Sequence, residues 1–155
     1  MDEVIEFWFA DRSRWWAKDP SFDALARHRF ESLHGAIMRG EHDDWRKTPR
    51  GTLAYVLVLD QLSRNMFRDT AAMFSGDDRA LEAARGALEA GFDQALTNDE
   101  RSFLYMPFMH AEDLAMQDRA VELFADLGDG GGYAEQHRAI VARLDRKSTR
   151  LNSSH

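Results

Sequence analysis

An all-α fold is predicted by three observations. Apolar residues recur at intervals of three and four along most of the chain, and no stretch alternates with period two between glycine-rich turns. The run Leu53 to Leu59 is apolar on every side, which suits only a helix buried among other helices. The expected architecture is a set of antiparallel helix pairs joined by short turns.

Val4, Ile5, Phe7, Trp8 and Phe9 predict a short aromatic helix, and Trp15 and Trp16 follow after a polar turn. These aromatic residues fit core packing, with a ligand-stacking wall or partner surface as the other reading. Asp19 or Ser21 caps a helix carrying Phe22, Leu25, Ala26, Phe30, Leu33 and Ile37 at helical spacing, and Gly40 closes it. Trp45 falls in a polar loop, and Thr48-Pro49 opens the central helix, with Gly51 weakening its first turn. Asp69 to Phe74 read as a linker. Ser75-Gly76-Asp77 then starts a helix whose inner face is Ala80, Leu81, Ala84, Ala87 and Leu88, and Gly91 stops it.

Thr97 followed by Glu100 is a capping box that opens the next helix. Pro107 interrupts that helix, so either one kinked helix or two helices meeting near Pro107 are expected, with Leu114, Val121, Phe124 and Leu127 continuing the pattern. After a loop from Gly128 to Gly132, a last segment places His137, Ile140, Val141 and Leu144 on one face.

The 155 residues fit one domain with a real core, fed by 4 Trp, 10 Phe and 7 Met. With 0 Cys there is neither a disulfide framework nor a thiolate metal site. No basic leader precedes an apolar run, and no run reaches the roughly 18 apolar residues of a bilayer span, so a cytoplasmic location and no membrane partner are expected. A formal net charge of -7 argues against nucleic acid, because no basic stripe is present to neutralise phosphates.

The chemistry concentrates where the central helix turns polar. Asp60, Arg64 and Arg68 stand four apart, which stacks them on one face running out of the core, with Asn65 beside them. Buried guanidiniums need carboxylates or an anionic ligand. His110, Glu112 and Asp113, just after Pro107, are the expected counterparts across a charged seam. Such a seam reads either as a pocket in which the arginines hold an anion while His110 or Glu112 handles a proton, or as a structural ion-pair network. Asp60, His110, Asp113 and His137 could also meet as metal ligands, but they lack a local ligand motif, so no metal or other cofactor is assigned. His28, His34 and His42 fit surface positions, and the acids of Asp77-Asp78 fit helix-start chemistry.

Three motifs in order, Glu6-Phe7-Trp8-Phe9, then Leu59 to Arg68, then Phe103 to Asp113, resemble a bacterial domain-of-unknown-function family, number 924. The resemblance covers Val4 to Leu144 and implies a tetratricopeptide-like bundle or short superhelix, without an established activity, substrate or cofactor. Where that family continues Phe-Gly-Arg-Phe-Pro-His-Arg-Asn, this chain has Asp145 to His155, which resembles the in-frame translation of a sequencing adapter. Residues 1–144 are therefore read as one helical domain truncated at its C-terminus, and 145–155 as a non-native tail, frayed or barely packed. The tail holds three Lys/Arg and one Asp, so the charge without it is -9 instead of -7.

Two function classes follow. One is an interaction module that takes a protein or peptide in a groove between helix pairs; the other is a small-anion binder or enzyme built on Asp60, Arg64, Asn65, Arg68, His110, Glu112, Asp113 and His137. Whether the chain is an enzyme is open at this point.

Overall fold

In the computed structural model every regular element is helical, and no strand occurs among the described residues. The structure describes residues 1–128 and 132–153, with side-chain surroundings for 1–128 and 134–145. The helices are α1 (Asp2–Phe9), α2 (Pro20–Met38), α3 (Pro49–Val56), α4 (Ser63–Met66), α5 (Asp77–Glu89), α6 (Asn98–His110), α7 (Leu114–Asp126) and α8 (Gly132–Ser153). A π-helical segment, Leu57–Leu62, joins α3 to α4. Short 3₁₀ turns fill Arg12–Arg14, Asp43–Lys47, Ala71–Phe74 and Phe92–Ala95. The chain forms two compact units, Met1–Pro107 and Phe108–His155.

The first unit is built around α3 and the π segment. Every residue from Leu53 to Leu59 is fully buried, as an apolar run without a polar face requires. α3 packs on α1 and α5, α4 packs on α2, and the π segment touches α1, α2 and α5. Helix starts are fixed locally. The Asp19 carboxylate accepts from the Ser21 and Phe22 amides, and the Thr48 hydroxyl accepts from the Gly51 amide. Thr97 and Glu100 close their box in both directions, at 2.9 Å and 3.2 Å. Gly51 has a use beyond weakening a turn: a Cβ there would stand 2.1 Å from the Trp45 carbonyl oxygen, so the missing side chain lets the Asp43–Lys47 turn lie against α3.

The N-terminal aromatic residues pack into the core. Trp8 meets Phe103 edge-on at 5.3 Å, Trp15 meets the same ring at 4.8 Å, and the Trp15 indole donates to the Trp8 carbonyl at 2.9 Å. Trp16 differs from the others, being 68% exposed.

Pro107 does not end its helix, since α6 continues to His110. A proline inside a helix removes one backbone donor, yet Phe103 to Met109 are all buried, so burial outweighs the break. The real interruption comes later, where Asp113 caps α7 by accepting from the Ala115 and Met116 amides. In the second unit α7 packs on α8. The face expected to be buried on α8 is partly open: Ile140 is 48% and Leu144 57% exposed, while the small Ala134 and Ala142 are buried. The α8 backbone stays helical through Ser153, and the packing of side chains after Asp145, part of the expected tail, lies outside the described residues, as does most of the Gly128 to Gly132 loop.

Candidate functional site

The polar end of the central helix is a hydrogen-bonded network. Asp60 is fully buried on the π segment, and the Gln61 side-chain amide donates to its carboxylate at 2.7 Å. Arg64 donates through Nη1 to the Asp60 carbonyl at 2.7 Å and to its Oδ1 at 3.4 Å. The same guanidinium forks onto Asp77 with two bonds of 3.0 Å and 3.1 Å, and stands over the Phe74 ring. Asn65 donates to Asp23 Oδ1 at 2.9 Å. Arg68 grips the same carboxylate through Nε at 2.7 Å and Nη2 at 3.2 Å. Burial pushes the Asp23 carboxyl up, but the Arg68 and Asn65 bonds outweigh it and hold its pKa below the ordinary value.

The carboxylates that meet Arg64 and Arg68 are thus Asp60, Asp77 and Asp23, where Glu112 and Asp113 were expected. Asp23 and Asp77 each lie in the first turn of a helix, α2 and α5. In sequence both look like ordinary N-terminal acids, and nothing local reveals that they turn towards the central helix. The network ties two helix starts to the core and leaves both arginine forks occupied.

The π segment is likewise invisible to periodicity, because it starts at Leu57 within the run that is apolar on all sides, where there is no stripe to go out of phase. Its closing bond is the Ser63 amide to the Val58 carbonyl, and the Ser63 hydroxyl reaches the same carbonyl at 3.2 Å. His34 is a correction to the surface assignment. It is only 6% exposed, lies edge-on to Phe67 at 5.1 Å, and its Nε2 has no hydrogen-bond partner among the described residues. Burial lowers its pKa against the opposing pull of Glu31. In the sequence, only its place four residues after Phe30 could have signalled this.

His110, Glu112, Asp113 and His137 all lie in the second unit. His110 ends α6, and half-buried His137 lies on α8. The His137 pKa is lowered first by burial and then by the charge of His110. Gln117, fully buried on α7, was not singled out by the sequence. Its amide donates to the carbonyls of Met109 and Ala111, both at 2.6 Å, and so satisfies acceptors left over at the end of α6. In the same unit a cleft of about 520 Å³ is lined by Glu112, Asp113, Leu114, Ala115, Val141, Leu144 and Asp145. Among the described residues no group of three or more His, Asp or Glu gathers to hold a metal ion, and no helix is long and apolar enough to cross a membrane.

The fold has a solved counterpart. The structure of ATU0120, a protein of unknown function from Agrobacterium tumefaciens, matches with a TM-score of 0.89 and 42% sequence identity, over 93% of this chain and 83% of that one. No curated protein matches. The model of a family described as bacterial protein of unknown function (DUF924) matches residues 4–152. With nearly its whole length matched, the chain belongs to the DUF924 family.

Proposed function

We propose that the protein is a cytoplasmic interaction module of the tetratricopeptide-like kind, taking a partner segment in the groove between α7 and α8. The observation that carries this reading is the cleft itself. Leu114, Val141 and Leu144 supply an apolar lining, and Leu144 and its neighbour Ile140 are about half exposed. A groove between two packed helices with apolar side chains left open is the form in which helical scaffolds accept a peptide.

The small-anion reading draws less support from the geometry. Arg64 and Arg68 each hold a carboxylate through two bonds, so an incoming anion must displace Asp77 or Asp23. One titration separates the readings. Backbone amide resonances are followed by NMR while the protein is titrated with a neutral amphipathic peptide, leucine on one helical face and glutamine on the other, and separately with inorganic phosphate. The groove reading expects peptide-induced shifts at residues 112–115 and 140–144. Phosphate-induced shifts confined to the surroundings of Arg64 and Arg68, with no response to peptide, would overturn it.

A further inference from the structure

Building on the groove reading, we infer that the α7–α8 cleft selects a basic amphipathic segment, one presenting an apolar stripe flanked by lysine or arginine. The lining is divided by chemistry. Leu114, Val141 and Leu144 form its apolar part, and the exposed residues Glu112 and Asp113 line it from the segment between α6 and α7. Asp145 adds a third carboxylate, at the start of the 145–155 segment. No lysine or arginine is among the described lining residues.

The two essential acids differ in their surroundings. Asp113 Oδ1 is engaged with the α7 amides, at 2.8 Å and 3.3 Å, which anchors its negative charge at the rim. Glu112 is exposed and can swing towards a ligand. Carboxylates at the rim of an apolar groove repel acidic segments and attract basic ones, and the net charge of -7 adds attraction at longer range. Apolar area then supplies the affinity and the rim supplies the choice of partner.

The test uses the full chain and four synthetic peptides of equal length: an amphipathic leucine–lysine peptide, its leucine–glutamine and leucine–glutamate counterparts, and a leucine–lysine peptide scrambled to destroy the apolar stripe. Binding is read by fluorescence polarisation. The basic amphipathic peptide should bind most tightly, and the acidic one most weakly. Glu112→Lys should weaken the basic peptide about five-fold and leave the neutral one unchanged. Asp113→Asn, which keeps an oxygen for capping α7, should act in the same direction without unfolding the helix. Leu144→Gln should weaken both basic and neutral peptides.

Equal binding of basic, neutral and acidic peptides overturns the charge selection and leaves the groove reading standing. Binding of none of them overturns the groove reading itself. Equal binding of the scrambled basic peptide shows attraction to net charge alone and overturns the inference. Concentration-dependent dimerisation abolished by Leu144→Gln would make a second copy of the chain the occupant and also overturn it.

Discussion

Gly76 lies directly against the carbonyl of Leu59: a Cβ built on the glycine would stand 2.7 Å from that oxygen and 3.0 Å from the Leu59 Cβ. Leu59 is inside the π segment and Gly76 is the residue before α5, so the absent side chain lets the start of α5 reach the central helix. Asp77, the next residue, is then delivered to Arg64. Gly76→Ala should therefore destabilise the protein by about 1–3 kcal/mol through overpacking against backbone. Gly86→Ala, within α5, meets nothing within 4 Å among the described residues and should stabilise by roughly 0.5–1 kcal/mol. Urea denaturation of the two variants gives the comparison, and equal effects would show that the contact at Gly76 is not limiting.

Arg64 serves two carboxylates, so its loss should be felt at both. Removing one partner from a buried pair costs roughly 3–5 kcal/mol; the Arg64 side chain is 20% exposed, which places Arg64→Ala towards the low end. Arg64→Lys keeps the charge but loses the fork on Asp77, and an intermediate loss is expected. A shift of the denaturation midpoint in the order Ala, Lys, wild type confirms this. An unchanged midpoint in Arg64→Ala would mean that the network contributes nothing to stability.

Buried His34 and half-buried His137 both make stability fall on acidification. His34 and His137 have folded-state pKa values lowered from 6.5, chiefly by burial. Below the ordinary value the unfolded chain takes up protons that the folded chain refuses, so stability is complete above about pH 6.5 and declines as pH drops towards the folded pKa values. Thermal unfolding midpoints measured from about pH 7.5 down to about pH 5 should show this decline. His34→Leu should make the dependence shallower, and an identical slope in that variant would remove His34 as a contributor.

The tail offers a test of the sequence reading. After Leu144 only Leu151 is a large apolar residue, and Ser148, Thr149, Asn152 and Ser153 are weak helix formers. The α8 backbone is nonetheless helical to Ser153, and the family match reaches residue 152. Amide hydrogen exchange should be fast from 145 onwards and slower around the buried Ala134 and Ala142. Replacing 145–155 with the Phe-Gly-Arg-Phe-Pro-His-Arg-Asn continuation should raise the unfolding midpoint. Slow exchange across 145–153 with an unchanged midpoint would identify the present tail as a packed element.

The sequence by itself determined the features that depend on near neighbours or on composition. The Thr97–Glu100 box and the Asp19 and Thr48 caps need only residues within one helical turn. Burial of Leu53 to Leu59 follows from having no polar face. Tertiary structure decided what depends on distant residues. The acids for Arg68 and Arg64 come from 45 residues before and 13 after, and one-dimensional spacing cannot rank Asp23 and Asp77 above other helix-start acids. Only the fold could make Gly51 and Gly76 points of close approach, introduce a π turn where the apolar run gives way to Asp60 and Gln61, and carry α6 past Pro107. Packing in the folded chain outweighs the local preference at these positions, because contacts act on whole residues while a propensity acts on one pair of backbone angles.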